Sequence, residues 1–337
     1  MATMEDIARA LGISKGTVSK ALSGARDVSQ STRKQVLEKA VELGYQRIAR
    51  SDEAPRIAIF ITNMEYKKPS DFGYDIVTGF RKAAEPAGFK VEIVPITKEF
   101  QASTPYDQYM VRRNYRGALC LGISLLDPWL KEFESCRTPT VLYDNRLSGN
   151  PNVTYLAVDN EEGMALAVRR LKELGHRRIG YLSSALEAYV YRQRYQAFLR
   201  SMQASGLPAD ETVCGAAFHA SDCLSNHLPR LLKAGCTAIV CSHDLLAHSV
   251  IVHCTELGLA IPGDISVIGF DDIPLCRYTD PPLTTIRQDR TDLGKSAFFA
   301  LSSHLNHVSL STFLLHPQLV DRASCGAPPE KPADAAP

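Results

Sequence analysis

In the run Ile13–Gly24, Lys15, Ser19 and Lys20 give one side of a helix to ammonium and hydroxyl groups, while Val18 and Leu22, four residues apart, share the other. Cations and hydroxyls on one side of a short helix suit a DNA groove: ammonium groups meet phosphates and base acceptors, and hydroxyls donate to phosphate oxygens. Ser14 precedes the run as a cap that accepts a backbone N–H bond. Gly24 can end it in the left-handed conformation. A helix this short is unstable alone in water, so flanking elements must hold it.

Catalytic chemistry is not signalled. The chain has no Gly-x-Ser-x-Gly, no Gly-Lys-Ser/Thr phosphate loop and no His-Glu-x-x-His. His243-Asp244 is an adjacent pair, but the sequence places no nucleophile beside it. Nine cysteines are scattered, none in Cys-x-x-Cys spacing, which speaks against zinc and redox roles and for reduced, buried thiols. The expectation is a protein that is not an enzyme and carries neither cofactor nor metal.

The 337 residues allow two or three domains, and 45% hydrophobic residues can fill large cores. No run approaches the ~18 apolar residues of a membrane span. Met1–Glu5 lacks a signal-peptide pattern, so a cytoplasmic protein is expected. The net charge of +1 conceals an asymmetry: residues 1–50 hold nine Lys and Arg against five acidic residues, an excess of four, so the other 287 residues carry −3.

Three helices are expected in that basic head. The first spans about Thr3–Leu11, with Met4, Ile7, Ala8 and Leu11 as its apolar stripe; Gly12 makes the turn into the second. The third spans about Ser29–Leu43, with Val36, Leu37, Ala40, Val41 and Leu43 as its buried side and Gly44 as its stop. Helix, tight glycine turn and short helix is the helix-turn-helix arrangement. The same pattern also fits three helices that only pack together; the exposed Lys15, Thr17, Ser19 and Lys20 and the basic excess favour DNA.

Met4-Glu-Asp-Ile-Ala-Arg-Ala-Leu-Gly-Ile-Ser-Lys-Gly-Thr-Val-Ser-Lys-Ala-Leu-Ser-Gly, Val28-Ser-Gln-Ser-Thr-Arg and Ala40-Val-Glu-Leu-Gly-Tyr together resemble the headpiece of the lactose/galactose repressor (LacI/GalR) family. The resemblance puts Lys15, Gly16 and Lys20 at base-reading positions and Ser14, Thr17, Ser19, Ser29 and Thr32 at phosphate contacts. Two departures imply an operator different from the common half-site: Gly16 has no side chain, and Lys20 stands where Arg is usual and cannot form its bidentate fork. Residues 47–56, expected as a shortened hinge after a DNA-binding domain at 1–46, lack the usual Pro-Asn. They place Asp52 where a minor-groove wedge belongs, with Ile48 the remaining apolar residue.

From Arg56 onward, β-rich runs alternate with amphipathic helical ones. Strands are expected at Ile57–Thr62, Val91–Ile96, Ala118–Ile123, Thr140–Tyr143, Tyr155–Val158, Ile179–Ser183, Ala238–Cys241, Ser266–Gly269 and Thr284–Ile286. Helices are expected at Ile76–Ala87, Gly163–Leu174, Arg194–Ser205 and Leu246–Leu257. The rhythm implies an α/β fold of parallel sheets covered by helices, with ligands beyond the carboxyl ends of strands. It breaks near Asp159 and Arg287, which fits two lobes.

Val158-Asp-Asn-Glu-Glu-Gly, Leu174-Gly-His-Arg-Arg-Ile-Gly-Tyr, Gly258-Leu-Ala-Ile-Pro-Gly-Asp-Ile-Ser-Val-Ile-Gly-Phe-Asp-Asp and Pro281-Pro-Leu-Thr-Thr-Ile-Arg-Gln-Asp resemble the core of the same family. The resemblance implies a two-lobed, periplasmic-binding-protein-like core at 57–326, with an N-lobe of about 57–157 and 288–315 and a C-lobe of about 158–287 and 316–326. It also implies a small-molecule effector in the cleft between the lobes. Carried over one by one, Arg194 grips the ligand, Asp271 accepts hydroxyl bonds, Asp144 is an N-lobe polar contact, Phe218 falls near an aromatic wall, and His243 replaces a common Asn. Arginine, carboxylate and an aromatic face suit a sugar. The alternative for Arg194 is a structural ion pair with Asp271, and Asp272 reads as a cap or structural pair. Phe72 and Tyr74 read as packing or pocket lining. The Pro/Ala-rich residues 327–337 are expected to be disordered and contain no leucine heptads, leaving a two-fold homodimer on operator DNA as the expected assembly.

Overall fold

Each of the three opening helices has a hydroxyl waiting at its start. Thr3 caps α1 (Met4–Leu11) in a capping box: its side chain accepts from the Asp6 amide, and the Asp6 carboxylate accepts from the Thr3 amide at 2.9 Å. Ser14 caps α2 (Lys15–Ser23) and Ser29 caps α3 (Gln30–Glu42), each accepting a backbone N–H at 3.0 Å. Gly12 and Gly24 turn the chain with φ of 64° and 77°, where an L side chain would be strained. Ile7, Ala8, Val18, Ala21, Val28, Val36, Ala40 and Tyr45 form the head's core, with Leu22 packed at its edge. Leu43 departs from expectation: it is 36% exposed. It follows the last turn of α3, and the chain turns at Gly44 so that Tyr45, bonded through its amide to Ala40 O at 2.8 Å, enters the core instead.

This computed structural model describes residues 2–45, 54–147, 149–184, 186 and 188–330. The hinge expected at 47–56 falls mostly on 46–53, outside the described residues together with Ile48 and Asp52; Arg56 already begins the first strand. Residues 327–330 carry neither helix nor strand, and 331–337 lie outside the description.

The strands are β1 (Arg56–Ile61), β2 (Lys90–Pro95), β3 (Tyr115–Leu121), β4 (Thr140–Tyr143), β5 (Val153–Val158) and β6 (Ile179–Ser183). After them come β7 (Cys214–Ala216), β8 (Ala238–Cys241), β9 (Ser266–Asp271), β10 (Thr284–Arg287), β11 (Thr312–Leu315) and β12 (Gln318–Val320). The helices after the head are α4 (Phe72–Ala84), α5 (Lys98–Ser103), α6 (Tyr106–Arg113), α7 (Pro128–Glu132), α8 (Asn160–Glu173) and α9 (Tyr189–Ala204). A short α10 (Ala220–Asp222) continues through a π turn at Cys223–His227 into α11 (Leu228–Lys233), and α12 (Asp244–Glu256) and α13 (Arg290–Leu305) complete the set.

The chain divides into two units, Met1–Leu156 with Arg290–Phe313, and Ala157–Asp289 with Leu314–Pro337. The first holds the head and a sheet in the order β11-β5-β4-β3-β1-β2. Its core is aromatic, with Phe60 edge-on to Trp129 at 5.1 Å and Tyr106 and Tyr109 around them. The second unit holds a sheet in the order β12-β10-β9-β8-β6-β7, parallel except where β12 runs against β10. Its central strands are apolar on both faces because helices cover both; β8 is buried along its whole length.

Three strands were not expected: β7, β11 and β12. All three lie at sheet edges and span three or four residues, too short to show a periodicity of their own. The helix expected at Ile76–Ala87 runs instead from Phe72 to Ala84, since Asp71 is the last extended residue and Gly88 turns the chain with φ of 85°.

Candidate DNA interface and effector site

On the head, Ser14, Lys15, Gly16, Ser19, Lys20 and Ser29 are exposed, and Thr17 and Thr32 are half-buried. Ser14 and Thr17 share a hydroxyl–hydroxyl bond of 2.9 Å, and Ser29 and Thr32 one of 2.8 Å. Hydroxyls thus cluster at two helix N-termini, where open backbone N–H groups and the helix dipole favour an anion such as phosphate. The two cations are held by carboxylates: Lys15 Nζ to Glu5 and Lys20 Nζ to Asp27, both at 2.5 Å and more than half exposed. The Lys20 bond holds the Asp27 carboxyl below the usual carboxylate range. At Gly16, a Cβ would meet only Ser14 Oγ at 3.5 Å, so nothing in the head requires its bare backbone.

In the second unit, residues from strand ends and helix starts converge on Arg194. This side chain of α9 is 2% exposed. Its Nε donates to Asn160 Oδ1 at 2.9 Å, and its Nη1 donates to Ser242 O at 2.6 Å and Asp271 Oδ1 at 3.2 Å. The guanidinium carbon sits 3.7 Å above the Phe270 ring. Gln288 Nε2 donates to the same Asp271 oxygen at 2.6 Å. Asp271 ends β9 with φ of 118°, Ser242 follows β8 and Gln288 follows β10, so the cluster forms at the carboxyl end of the sheet. The ion pair expected as one alternative for Arg194 and Asp271 is therefore formed. Asp272 is a structural pair, bonded to Arg322 at 2.6 Å and facing Arg287 at 3.5 Å.

His243 caps α12: its Nδ1 accepts from Leu246 N at 3.2 Å. That acceptor role assigns the proton to Nε2, which donates to Ser184 Oγ at 2.7 Å. Burial pushes the imidazole below its ordinary value, which favours this neutral form. The Tyr191 ring lies 5.5 Å from it. Asp244 is buried beneath, accepting from Ile273 N at 2.9 Å and Thr285 Oγ1 at 2.5 Å. Burial first, and the Asp271 charge second, push its carboxyl up to about 7.

Two further effector residues were expected, Asp144 and Phe218. Asp144 belongs to the first unit; it follows β4 with φ of 54°, half-buried, its amide donating to Leu156 O at 3.0 Å. Phe218 follows the edge strand β7, three strands from β9, or roughly 14 Å at the usual strand spacing. It is 79% exposed, and its ring meets that of its neighbour His219 edge-on at 4.9 Å.

The profile of bacterial regulatory proteins of the lacI family matches residues 3–47, and that of the periplasmic binding protein-like domain matches residues 168–325. The chain belongs to the LacI family. Among its relatives, the HTH-type transcriptional repressor CytR of Escherichia coli K12 is 29% identical over 97% of both chains. The HTH-type transcriptional regulator MalR of Streptomyces coelicolor is 29% identical over the same share. The transcriptional regulator CelR in complex with cellobiose has a TM-score of 0.69 at 25% identity, covering 96% of this chain and all of that one. This LacI-family chain is thus a transcriptional regulator with a helix-turn-helix head and a two-unit α/β core, related to regulators and not to enzymes. Among the described residues, no helix is long and apolar enough to cross a membrane.

Several members of the cluster escaped sequence reasoning: Asn160, Ser184, Tyr191 and Gln288. One signal was available. Ser184, Ser242 and Gln288 each directly follow a strand of one parallel sheet, where side chains face a ligand.

Proposed function

We propose that this LacI-family regulator is a repressor that grips operator DNA as a homodimer through residues 1–46 and releases it on binding a hydroxylated small molecule, a sugar or sugar derivative. Ser14, Lys15, Gly16, Thr17, Ser19, Lys20, Ser29 and Thr32 meet the DNA. Arg194, Asp271 and His243 meet the effector, with Gln288 beside them and Asp144 contributing from the first unit.

The observation that carries the effector assignment is the network around Arg194 and Asp271. A buried guanidinium and a carboxylate, already fixed by Asn160 and Gln288, need little reorganisation to bond a diol. The cellobiose complex of CelR supports the sugar class. A single head of three short helices makes few contacts, whereas two related by a two-fold axis read a palindrome.

Thermal unfolding of the full chain across a panel of mono- and disaccharides tests the effector, because a ligand that binds only the folded form raises the melting temperature. The sugar that raises it should then release the chain from DNA in a gel shift on the region upstream of its own gene. A panel with no shift, or an unchanged shift in Arg194→Lys, overturns the sugar-site reading. A sugar that strengthens the DNA complex overturns its polarity.

A further inference from the structure

Within the first unit, the head is not left to its chain connection alone. Arg137, in the loop before β4, donates from Nη1 to the carbonyl oxygen of Glu42 at 2.6 Å. Val111 of α6 packs against the head's apolar cluster. Asp107, also on α6, fixes the loop that presents Arg137. It accepts from Arg137 N at 2.8 Å, Thr138 N at 3.1 Å and Thr138 Oγ1 at 2.7 Å.

The chemistry of the contact is specific. Glu42 is the last residue of α3, so its carbonyl is among those that helical bonding leaves open. A cation there completes a hydrogen bond and meets the negative end of the helix dipole. The seam is not packed like a core: a cavity of about 60 Å³ lies between Ala40, Gly44 and Tyr45 on one side and Met110 and Asn114 on the other. That space admits water. A charge-assisted bond, an apolar contact and a gap that admits water make a latch that can open. Lys15, Ser19 and Lys20 remain exposed while the latch is closed.

We propose that Arg137 and Val111 latch the head onto its own lobe in the absence of DNA, with the reading side open, and that this pre-orientation raises affinity for DNA. A head on a free tether loses orientational freedom when it binds; a latched head has lost that freedom beforehand. The affinity half of the proposal rests on the DNA-binding reading above, and the latch itself does not.

The test uses the full chain, wild type against Arg137→Ala, Arg137→Lys and Val111→Ser. One arm follows tryptic cleavage after Arg47 and Arg50, between head and lobe. The other titrates a DNA duplex that the wild-type chain has itself selected from a random-sequence library. For Arg137→Ala, an exposed charge-assisted bond predicts roughly threefold faster cleavage and roughly threefold weaker binding, with an unchanged salt slope. Arg137→Lys recovers part of both, and Val111→Ser moves both the same way.

Unchanged cleavage in both Arg137→Ala and Val111→Ser overturns the latch. Weaker binding with a shallower salt slope makes Arg137 a phosphate contact and overturns it too. Faster cleavage with equal or tighter DNA binding overturns the pre-orientation. If the wild-type chain selects no duplex, the DNA-binding reading fails, and the affinity claim with it, while the cleavage rates still decide the latch.

Discussion

The head and the strand-end cluster of the second unit are the two regions proposed to offer charged side chains to a ligand, and they hold them in opposite ways. In the head, Lys15 and Lys20 rest on Glu5 and Asp27 in pairs more than half exposed to water. In the cluster, Arg194 is closed off from solvent and bonded to Asn160, Ser242 and Asp271. The first arrangement leaves cations free to exchange a carboxylate for phosphate at little cost, since water screens both states. The second builds the proposed effector contacts into the core, so under that proposal the same residues serve stability and recognition. Substitutions should therefore separate the two regions by the size of their effect on folding.

The largest effect is expected at Arg194. Arg194→Ala takes the guanidinium away from the largely enclosed Asp271, which keeps Gln288 as a partner, and strips bonds from Asn160 and Ser242 O. Breaking a buried charge network in this way costs about 3–5 kcal/mol. Equilibrium urea unfolding measures it; a loss below about 1 kcal/mol would make Arg194 resemble the surface cations of the head and erase the contrast.

Asp244 comes next, and its effect is on pH dependence. Burial pushes its carboxyl up to about 7 in the folded chain, from the usual carboxylate range near 4. Between those values the folded form holds a proton that the unfolded form has released. Stability is therefore full below about pH 4 and falls as pH rises through 7. That contribution is roughly 2–4 kcal/mol and should vanish in Asp244→Asn, whose stability profile over pH 5–8 is flatter than wild type. Thermal melts of the two proteins across that range decide the point; parallel profiles would remove Asp244 from the account.

The same contrast explains what could be read from the sequence. The head was legible because its determinants are local: Thr3, Ser14 and Ser29 stand immediately before their helices, and Gly12 and Gly24 stand at their ends. Its one misplaced core residue, Leu43, depended on the turn at Gly44, which admits Tyr45 in its stead. The central strands were also legible, as short apolar runs; Thr140–Tyr143, Ile179–Ser183 and Ala238–Cys241 match residue for residue. The cluster was not legible from spacing. Asn160, Arg194, Ser242, Asp271 and Gln288 meet only because strand order brings β8, β9 and β10 side by side, and no local period records that order. Family resemblance supplied Arg194, Asp271 and Phe218; the place of Phe218 depends on an edge strand too short to read.

Within the head, the cap should matter more to folding than the cations. Ser14→Ala removes the acceptor for Thr17 N and is expected to destabilise α2 by about 1 kcal/mol. Ser14→Gly should cost only a few tenths, because glycine leaves the N–H groups open to water. Near-equal losses for the two variants would mean that the hydroxyl pair with Thr17, and not the cap, supports the helix.

The smallest effect on stability, and the sharpest test of how the head holds its charges, lies in the Lys20–Asp27 pair. Both partners are solvent-exposed, so neither Lys20→Ala nor Asp27→Asn should move the melting temperature measurably. Their effects on DNA should have opposite signs. Lys20→Ala removes a cation from the reading helix and weakens binding severalfold, with a shallower salt dependence if the contact is to phosphate. Asp27→Asn removes the carboxylate that competes for the same ammonium, and with it a negative charge that the DNA would otherwise repel, so binding tightens by a few-fold. The tightening should fade as salt rises, because screening acts on the same exposed charges. If both substitutions weaken binding, the pair positions α2 as a unit, and the head resembles the buried cluster after all.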